Sequence, residues 1–322
     1  MDLEREIDVS IIVLTYFHEA YISKALDSIL MQETDLRYEV LVGDDASQDR
    51  TPQILQSYAN RHPEQIFLTL REKNVGASRN AFDLCSHARG KYIAALEGDD
   101  FWLDPCKLQK QWDFLEEHPE YIGCCSKCLV VDRDNRPDYT KSPHFVWNKK
   151  EFHLEDLIER WDLPGQAGTW MYRNIYLSMR PGEFETMCRM HPNVADKTIA
   201  LLLLSKGPIY CSNEVLSCYR KVDQTGERNW FSIHHANPYR NYDMFMYPCR
   251  LESWARRDLN LGKRLGRQHL GKRGEYRFCR FVEELVREPS LKRLRYLADM
   301  VAYSHQPVKY SWTILKALIE ME

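Results

Sequence analysis

Short apolar runs alternate with helix-like segments through the first third of the chain. Between the runs, apolar side chains recur at helical spacing, as in Ile22, Leu26 and Ile29. Four runs have the length and apolar content of buried strands, and they lie at 9–14, 38–42, 66–70 and 92–96. This alternation predicts an α/β fold with a mostly parallel central sheet and helices on both faces.

The fourth run ends abruptly at three carboxylates, Glu97, Asp99 and Asp100. Three acids within four residues repel one another unless a positive charge lies between them. A divalent cation carrying a phosphorylated ligand fits this pattern, and the alternative is an acidic turn with solvated charges. A helix is expected to follow, with Asp104 as its N-cap and Pro105 at its first position.

Ligands of parallel α/β sheets bind beyond the carboxyl ends of the strands. One rim of the sheet is therefore expected to carry five side chains: Tyr16, Asp44, Asp45, Asp99 and Asp100. Tyr16 can stack on a nucleotide base, and Asp45 can accept a hydrogen bond from base or ribose. Asp99 and Asp100 can bind Mn²⁺ or Mg²⁺ between two phosphates, because these ions prefer oxygen ligands.

Glycine-rich nucleotide-binding motifs are missing from the sequence. Neither G-x-G-x-x-G after the first run nor G-x-x-x-x-G-K-[ST] occurs anywhere. This argues against a dehydrogenase or a P-loop enzyme. A metal ion and side chains, rather than the backbone amides of a glycine-rich loop, would have to bind the phosphates.

After residue 131 the regular alternation of apolar runs and helix-like segments ends. A polar stretch at 132–150 precedes a predicted helix at 152–161 and a glycine-rich turn at 164–169. Asp196 stands just before a short apolar helix predicted at 197–206, and one or two strands are predicted over 209–220. From Tyr239 onward the pattern is helical, basic and aromatic. We therefore predict a first domain at 1–240, with halves at 1–131 and 132–240, and a basic helical extension at 241–322.

Charge is distributed unevenly along the chain, although the formal net charge is only −3. From Cys249 onward 16 Lys and Arg face 9 Asp and Glu. A basic segment of this kind could bind anionic lipid headgroups or form an oligomer interface. The third alternative is a charged helical face exposed to solvent. No nucleic-acid recognition motif accompanies it, so no nucleic-acid partner is predicted.

Composition indicates an intracellular protein. The N-terminus lacks the basic and apolar regions of a signal peptide, and no run approaches the roughly 20 apolar residues of a membrane helix. Ten cysteines without an export signal fit a reducing cytoplasm, with peripheral contact at the inner face of the membrane as an option. Cys124, Cys125 and Cys128 lie in an apolar run, which favours buried strand thiols over a zinc site.

Four segments together resemble family-two glycosyltransferases. They are Val9–Tyr16, Val42–Ser47, Asn74–Asn80 and Gly90–Asp100, in the order and spacing of that family over about 100 residues. The resemblance implies a GT-A fold, a nucleotide-sugar donor (usually a UDP-sugar), a divalent cation and inversion at the anomeric carbon.

The same resemblance implies roles for donor-side residues. Tyr16 and Asp45 would hold the base, Asp99 the ribose or the metal, and Asp100 the metal. Two departures from the family pattern bear on these roles. Leu14 and Phe17 replace residues common in the family, which suggests a remodelled base pocket, and the D-x-D motif begins here with Glu97.

On the acceptor side, the family places an acidic residue before a short apolar helix. Asp196 matches that place and would be the general base, whereas its position alone also suits an N-cap. Arg220 or Lys221 would stabilise the departing phosphates, or end a solvated strand. Arg79 would pair with a phosphate or form a structural ion pair with Asp45. Thr169 and Trp170 would border the acceptor, although Trp170 suits the core equally.

The sequence thus predicts a metal-dependent, inverting glycosyltransferase of polysaccharide biosynthesis. Its acceptor would be the hydroxyl of a growing glycan, a glycolipid or a glycoprotein glycan, and the basic tail would contact a membrane or a second copy of the chain. A sugar-phosphate nucleotidyltransferase is the rival enzyme, but the segment Thr15–His18 lacks its glycine-rich loop. A nucleotide-binding scaffold that has lost its chemistry is the second rival.

Overall fold

The structure is a computed structural model that describes residues 6–141, 149–221, 236–265, 270, 275–304, 310 and 314. The chain divides into two compact units, residues 1–228 and 229–322. This division lies earlier in the chain than the boundary that the sequence predicts at residue 240. Part of the predicted polar stretch at 132–150 lies outside the described residues, as does most of the chain after residue 304.

The described residues of the first unit form one mixed sheet of nine strands. In chain order they are β1 Val9–Thr15, β2 Tyr38–Asp44, β3 Ile66–Leu70, β4 Tyr92–Glu97, β5 Phe101–Trp102, β6 Gly123–Val131, β7 Glu151–Phe152, β8 Met171–Arg173 and β9 Ile209–Arg220. The spatial order is β3-β2-β1-β4-β8-β6-β9-β5, with β7 paired to β9. Strands β3, β2, β1 and β4 are parallel, and β8 joins β4 and β6 in antiparallel fashion.

Seven α-helices accompany this sheet in the described residues of the first unit. They are α1 Ile22–Leu30, α2 Thr51–Arg61, α3 Ala77–His87, α4 Lys107–Glu117, α5 Leu154–Arg160, α6 Pro181–Cys188 and α7 Asp196–Leu204. A short 3₁₀ turn spans Ala167–Thr169. The core lies between the parallel strands and the helices, and Ile11, Ile22 and Leu108 in it are fully buried. The predicted α/β class is confirmed.

The parallel strands lie where the apolar runs predict them. Strands β1 and β2 extend one or two residues past the predicted runs, to Thr15 and Asp44. The predicted strand region 209–220 is the single strand β9. Cys124, Cys125 and Cys128 are buried thiols of β6, as expected.

The predicted start of α4 is wrong by two residues. Helix α4 begins at Lys107, and Cys106 rather than Asp104 is its N-cap. The Asp104 carboxylate instead accepts a hydrogen bond from the Cys106 N–H at 2.7 Å and pairs with Lys110 at 2.9 Å. This local bond closes a turn ahead of the helix, as Asp side chains often do.

The described residues of the second unit are helical, as the sequence predicts. They form α8 Arg240–Arg257, α9 Gly262–Leu265, α10 Glu275–Arg287 and α11 Leu291–Tyr303. Phe245, Phe278, Phe281 and Met300 are fully buried in its core. None of the helices in the described part of the chain has the length and hydropathy that crossing a bilayer requires.

We predict that Gly76→Ala destabilises the first unit. Gly76 has a φ of +89°, and an added Cβ would lie 2.6 Å from the Pro192 carbonyl oxygen. Backbone strain of this kind costs about 1–3 kcal/mol, to which the steric overlap adds. Urea denaturation measures the loss.

Gly182→Ala is the matched control, because a Cβ at this α6 position meets no atom within 4 Å. It should be neutral or stabilise by up to about 1 kcal/mol, since alanine favours a helix over glycine. A Gly76→Ala protein as stable as the wild type would contradict the account.

Candidate active site

The loops after β1 and β2 are held to each other by side-chain hydrogen bonds. The Phe17 N–H donates to Ser47 Oγ at 2.8 Å, and the His18 N–H donates to Thr51 Oγ1 at 3.0 Å. Ser47 in turn donates its hydroxyl and its N–H to the buried carboxylate of Asp44. These contacts place Tyr16 at the rim, half-buried and edge-on to the Phe17 ring.

Asp45 organises the turn that leads into α3. Its two carboxylate oxygens accept hydrogen bonds from the Val75 N–H at 2.7 Å and from the Gly76 N–H at 3.0 Å. The Asp45 N–H donates to the carbonyl of Thr15, which ties the ends of β1 and β2 together. Asp45 is buried, and each of its oxygens keeps a second lone pair that can accept another hydrogen bond.

Glu97, Asp99 and Asp100 come together at the carboxyl end of β4. One oxygen from each lies within 4.8 Å of the others. Asp99 Oδ1 is buried and receives no hydrogen bond from any described residue. Burial, followed by the charges of Asp99 and Asp196, raises the pKa of Glu97 to about 8. Oxygen ligands that repel one another and leave a buried acceptor without a donor fit a divalent cation.

Asp100 has both of its oxygens hydrogen-bonded within the protein. Oδ2 accepts from Gln166 Nε2 and Oδ1 accepts from the Arg220 N–H, each at 2.7 Å. Burial, followed by the charges of Asp99 and Glu97, raises the pKa of Asp100. The three acids therefore differ, because Asp99 has a buried oxygen without a donor and Asp100 is held in place by two donors.

The two predicted phosphate-binding arginines make structural contacts. The Arg220 guanidinium donates to the backbone carbonyls of Asp99, Asp132 and Arg133 and to Asn135 Oδ1. Arg79 forms an ion pair with Glu185, not with the predicted partner Asp45, at 3.0 Å on the exposed surface. These contacts favour the structural alternative for Arg79 and use four of the five guanidinium N–H groups of Arg220. A phosphate-binding role for either arginine stays a prediction.

Asp196 lies near the carboxylate cluster. It is the first residue of α7, and Ala195 is the N-cap, so Asp196 does not have the alternative capping role. Burial raises the pKa of Asp196, and the neighbouring Lys197 lowers it. Burial raises the pKa of Tyr219, and so do the charges of Glu97, Asp100, Asp99 and Asp196. The charges of Asp196 and of the three acids thus all act on the Tyr219 hydroxyl.

Sequence reasoning missed two residues of this site. His18 Nε2 lies 3.8 Å from Asp99 Oδ2, and its position just after β1 was the available signal. Gln166 contacts Asp100 from a turn 66 residues away, and its place between two glycines was a weak signal. Thr169 and Trp170 are both buried, and a role for either beside the acceptor stays a prediction.

Residues 10–178 match the model of glycosyl transferase family 2, which is more than half of the 322 residues. The chain belongs to glycosyltransferase family 2. The putative teichuronic acid biosynthesis glycosyltransferase TuaG of Bacillus subtilis agrees, being 36% identical over 69% of this chain and 82% of its own length.

Two further proteins are similar to this family-2 member. The uncharacterized protein Rv1520 of Mycobacterium tuberculosis is 40% identical over 47% of this chain, a match that spans only 43% of that relative's length. The Staphylococcus aureus TarS 1–349 structure with UDP-GlcNAc has a TM-score of 0.55 at 16% identity and covers 97% of this chain and 89% of its own. The predicted GT-A fold with C-terminal helices is confirmed.

Because the acids of this family-2 member repel one another, we predict that Asp99→Asn stabilises the metal-free protein. At pH 8 the change removes one charge beside Glu97 and Asp100, which is worth about 1 kcal/mol or about 2–4 °C in Tm. The gain should shrink toward pH 5, since Glu97, with a folded pKa of about 8, is then protonated in either protein. Thermal denaturation in EDTA measures it.

Glu117→Gln removes an exposed carboxylate of α4 and should leave Tm unchanged at both pH values. An Asp99→Asn protein with the wild-type Tm at pH 8 would contradict the repulsion.

Proposed function

We propose that this protein is an inverting glycosyltransferase that transfers a sugar from a UDP-sugar to a hydroxyl of a growing glycan, a glycolipid or a glycoprotein glycan. One observation carries the proposal. A carboxylate cluster suited to a cation lies at the carboxyl end of β4, and the charge of Asp196 acts on it from the start of α7. A candidate cation site and a candidate base thus lie close enough, in a family-2 fold, for their charges to interact.

The nucleotide would lie over the ends of β1 and β2. Tyr16 is half-buried there and can stack on the base, and Asp45 can accept a hydrogen bond from the base imide with its remaining lone pairs. The TarS structures of the same fold are complexes with UDP and with UDP-GlcNAc, which supports a uridine donor.

The diphosphate would lie beside the carboxylate cluster. Asp99 and Asp100 would hold Mn²⁺ or Mg²⁺, with Glu97 as a further candidate ligand. When bound, the cation supplies positive charge to the two phosphates and stabilises the nucleoside diphosphate as it leaves. The buried Asp99 Oδ1, which has no donor among the described residues, supports Asp99 as the principal ligand.

Asp196 would act as the general base. The acceptor hydroxyl oxygen attacks the anomeric carbon on the face opposite the diphosphate, and its proton passes to the Asp196 carboxylate. The bond from the anomeric carbon to the diphosphate oxygen breaks, and its electron pair leaves with the diphosphate, which inverts the anomeric centre. Burial raises the pKa of Asp196, which makes its carboxylate a better proton acceptor near neutral pH.

The proposed base predicts that Asp196→Asn lowers turnover about 100-fold or more, because the amide cannot accept the proton. A thermal-shift panel of nucleotide sugars with Mn²⁺ first identifies the donor, since a bound ligand raises Tm. UDP release then measures turnover, and calorimetry with UDP should show donor binding unchanged.

Asp162→Asn is the matched control, because the charge of Asp162 also acts on Lys197 and its side chain is exposed. It should turn over like the wild type. Near-normal turnover of Asp196→Asn would overturn the base, and a wild-type protein that binds UDP-sugars without turnover would instead be a nucleotide-binding scaffold.

The second unit suggests where the enzyme acts. Arg293, Leu297 and Met300 form the buried face of α11, whereas Leu291 is 87% exposed and Leu294 is 51% exposed. Lys292 and Arg295 are exposed on the same helix, whose first turn carries no acid. Exposed leucines beside basic residues suit the anionic inner face of a membrane, where a lipid-linked acceptor would lie.

We therefore predict that the double variant Leu291→Gln/Leu294→Gln binds phosphatidylglycerol vesicles about tenfold or more weakly, because each leucine loses apolar burial. Vesicle sedimentation measures the binding, and Arg295→Gln should reduce its salt sensitivity.

Leu177→Gln, at a 64% exposed leucine of the first unit, is the matched control and should bind vesicles normally. Unchanged vesicle binding by the double variant would contradict the surface. If the same variant instead abolished self-association seen by light scattering, the surface would be an oligomer interface.

A further inference from the structure

We infer that Gln166 is a positioning residue that holds Asp100 in the orientation required for the cation-dependent step of donor binding. The inference rests on the proposed function, because it concerns the same carboxylate cluster. Gln166 belongs to the turn at 165–170 in the acceptor half, and neither the family motifs nor the predicted site residues include it.

The orientation of the Gln166 amide is fixed by its two hydrogen bonds. Its Oε1 accepts from the Gly168 N–H at 2.7 Å, so its NH₂ group must point the other way. That NH₂ group donates to Asp100 Oδ2 at 2.7 Å. Gln166 is only 7% exposed and Asp100 only 1%, so water does not compete effectively for this bond.

The turn that carries Gln166 is itself attached to several elements. The Gly168 carbonyl accepts from Trp102 Nε1 at 3.0 Å and from Ser217 Oγ at 3.2 Å. The Thr169 carbonyl accepts from Gln111 Nε2 at 2.9 Å. Buried side chains of β5, β9 and α4 thus hold the turn in place. The hydrogen bond from Gln166 then restrains the orientation of the Asp100 carboxylate.

Asp100 is held from its other side by β9. The Arg220 N–H donates to Oδ1 at 2.7 Å, so each carboxylate oxygen has one protein donor. A carboxylate oxygen has two lone pairs, which leaves one on each oxygen for a cation. The donors fix the plane of the carboxylate and therefore the direction of those lone pairs.

Outer-sphere partners of this type contribute measurably to metal sites. Removing one typically weakens metal binding by about 10- to 100-fold, because the ligand loses its preferred orientation. A residue that only supports the fold would instead change nucleotide binding equally with and without metal. The ratio of the UDP affinity with metal to the UDP affinity without metal therefore distinguishes a positioning role from a role in the fold alone.

The test uses the full chain and two substitutions. Gln166→Glu keeps the acceptor for the Gly168 N–H but replaces the donor to Asp100 by an oxygen. Gln166→Met keeps the length and removes both hydrogen bonds. Calorimetry gives the affinity for UDP with Mn²⁺ and with EDTA, and electron paramagnetic resonance gives the bound fraction of Mn²⁺ alone.

We expect both variants to weaken Mn²⁺-dependent UDP binding and Mn²⁺ binding about 10- to 100-fold, with metal-free UDP binding within about twofold of the wild type. Ser217→Ala is the matched control, because it removes a hydrogen bond to the same turn without touching Asp100. It should bind Mn²⁺ like the wild type, and if Gln166→Glu fails to fold, Gln166→Met decides.

Three results would overturn the inference. They are wild-type Mn²⁺ binding by the Gln166 variants, an equal loss with and without metal, and an equal loss in Ser217→Ala. None of these three results contradicts the proposed function if the wild-type protein binds UDP in the presence of Mn²⁺. A wild-type protein that binds neither UDP nor Mn²⁺ would contradict the proposed function itself.

Discussion

Three carboxylates crowd the carboxyl end of β4, and their mutual repulsion is the constraint around which the site is arranged. One oxygen of each lies within 4.8 Å of the others, in a site where Asp100 is buried and the other two are half-buried. Burial, followed by repulsion from the neighbouring acids, raises the pKa of Glu97 and of Asp100. The fold keeps them together because β4 lies inside the sheet, paired to β1 and β8. Functional sites often keep destabilising interactions of this kind because the same groups are needed to bind a ligand.

The parts of the first unit before and after residue 131 meet at this cluster. The earlier part contributes the strand ends and the loops that carry Tyr16 and Asp45. The later part contributes Gln166, the Arg220 N–H and Asp196, which act on Asp100 or on Glu97. A structural change in the later part therefore alters the surroundings of the three carboxylates directly. This arrangement suits an enzyme that must hold two substrates at one reacting centre.

Residues that sequence reasoning assigned to ligands also make structural contacts within the protein. The Arg220 guanidinium holds the segment 132–135 to the end of β4, and Arg79 pairs with Glu185 on the surface. Asp45 holds the turn before α3 by accepting from two backbone N–H groups, and each of its oxygens keeps a lone pair for a further donor. The identity of a polar residue in a family motif can thus be required by a ligand, by hydrogen bonds to the surrounding backbone, or by both.

The sequence by itself determined the parallel strands, most of the helices, the family and the rim at which the acids gather. These follow from local patterns, because burial on two faces demands continuous apolar runs and a parallel sheet brings its carboxyl ends together. Only the tertiary structure decided how the acids differ, where α4 begins and which side chains reach the cluster from a distance. Gln166 contacts Asp100 across 66 residues, and Asp104 closes a local turn instead of capping α4. Such contacts depend on the packing of β5, β8, β9 and the 165–170 turn, which no local pattern encodes.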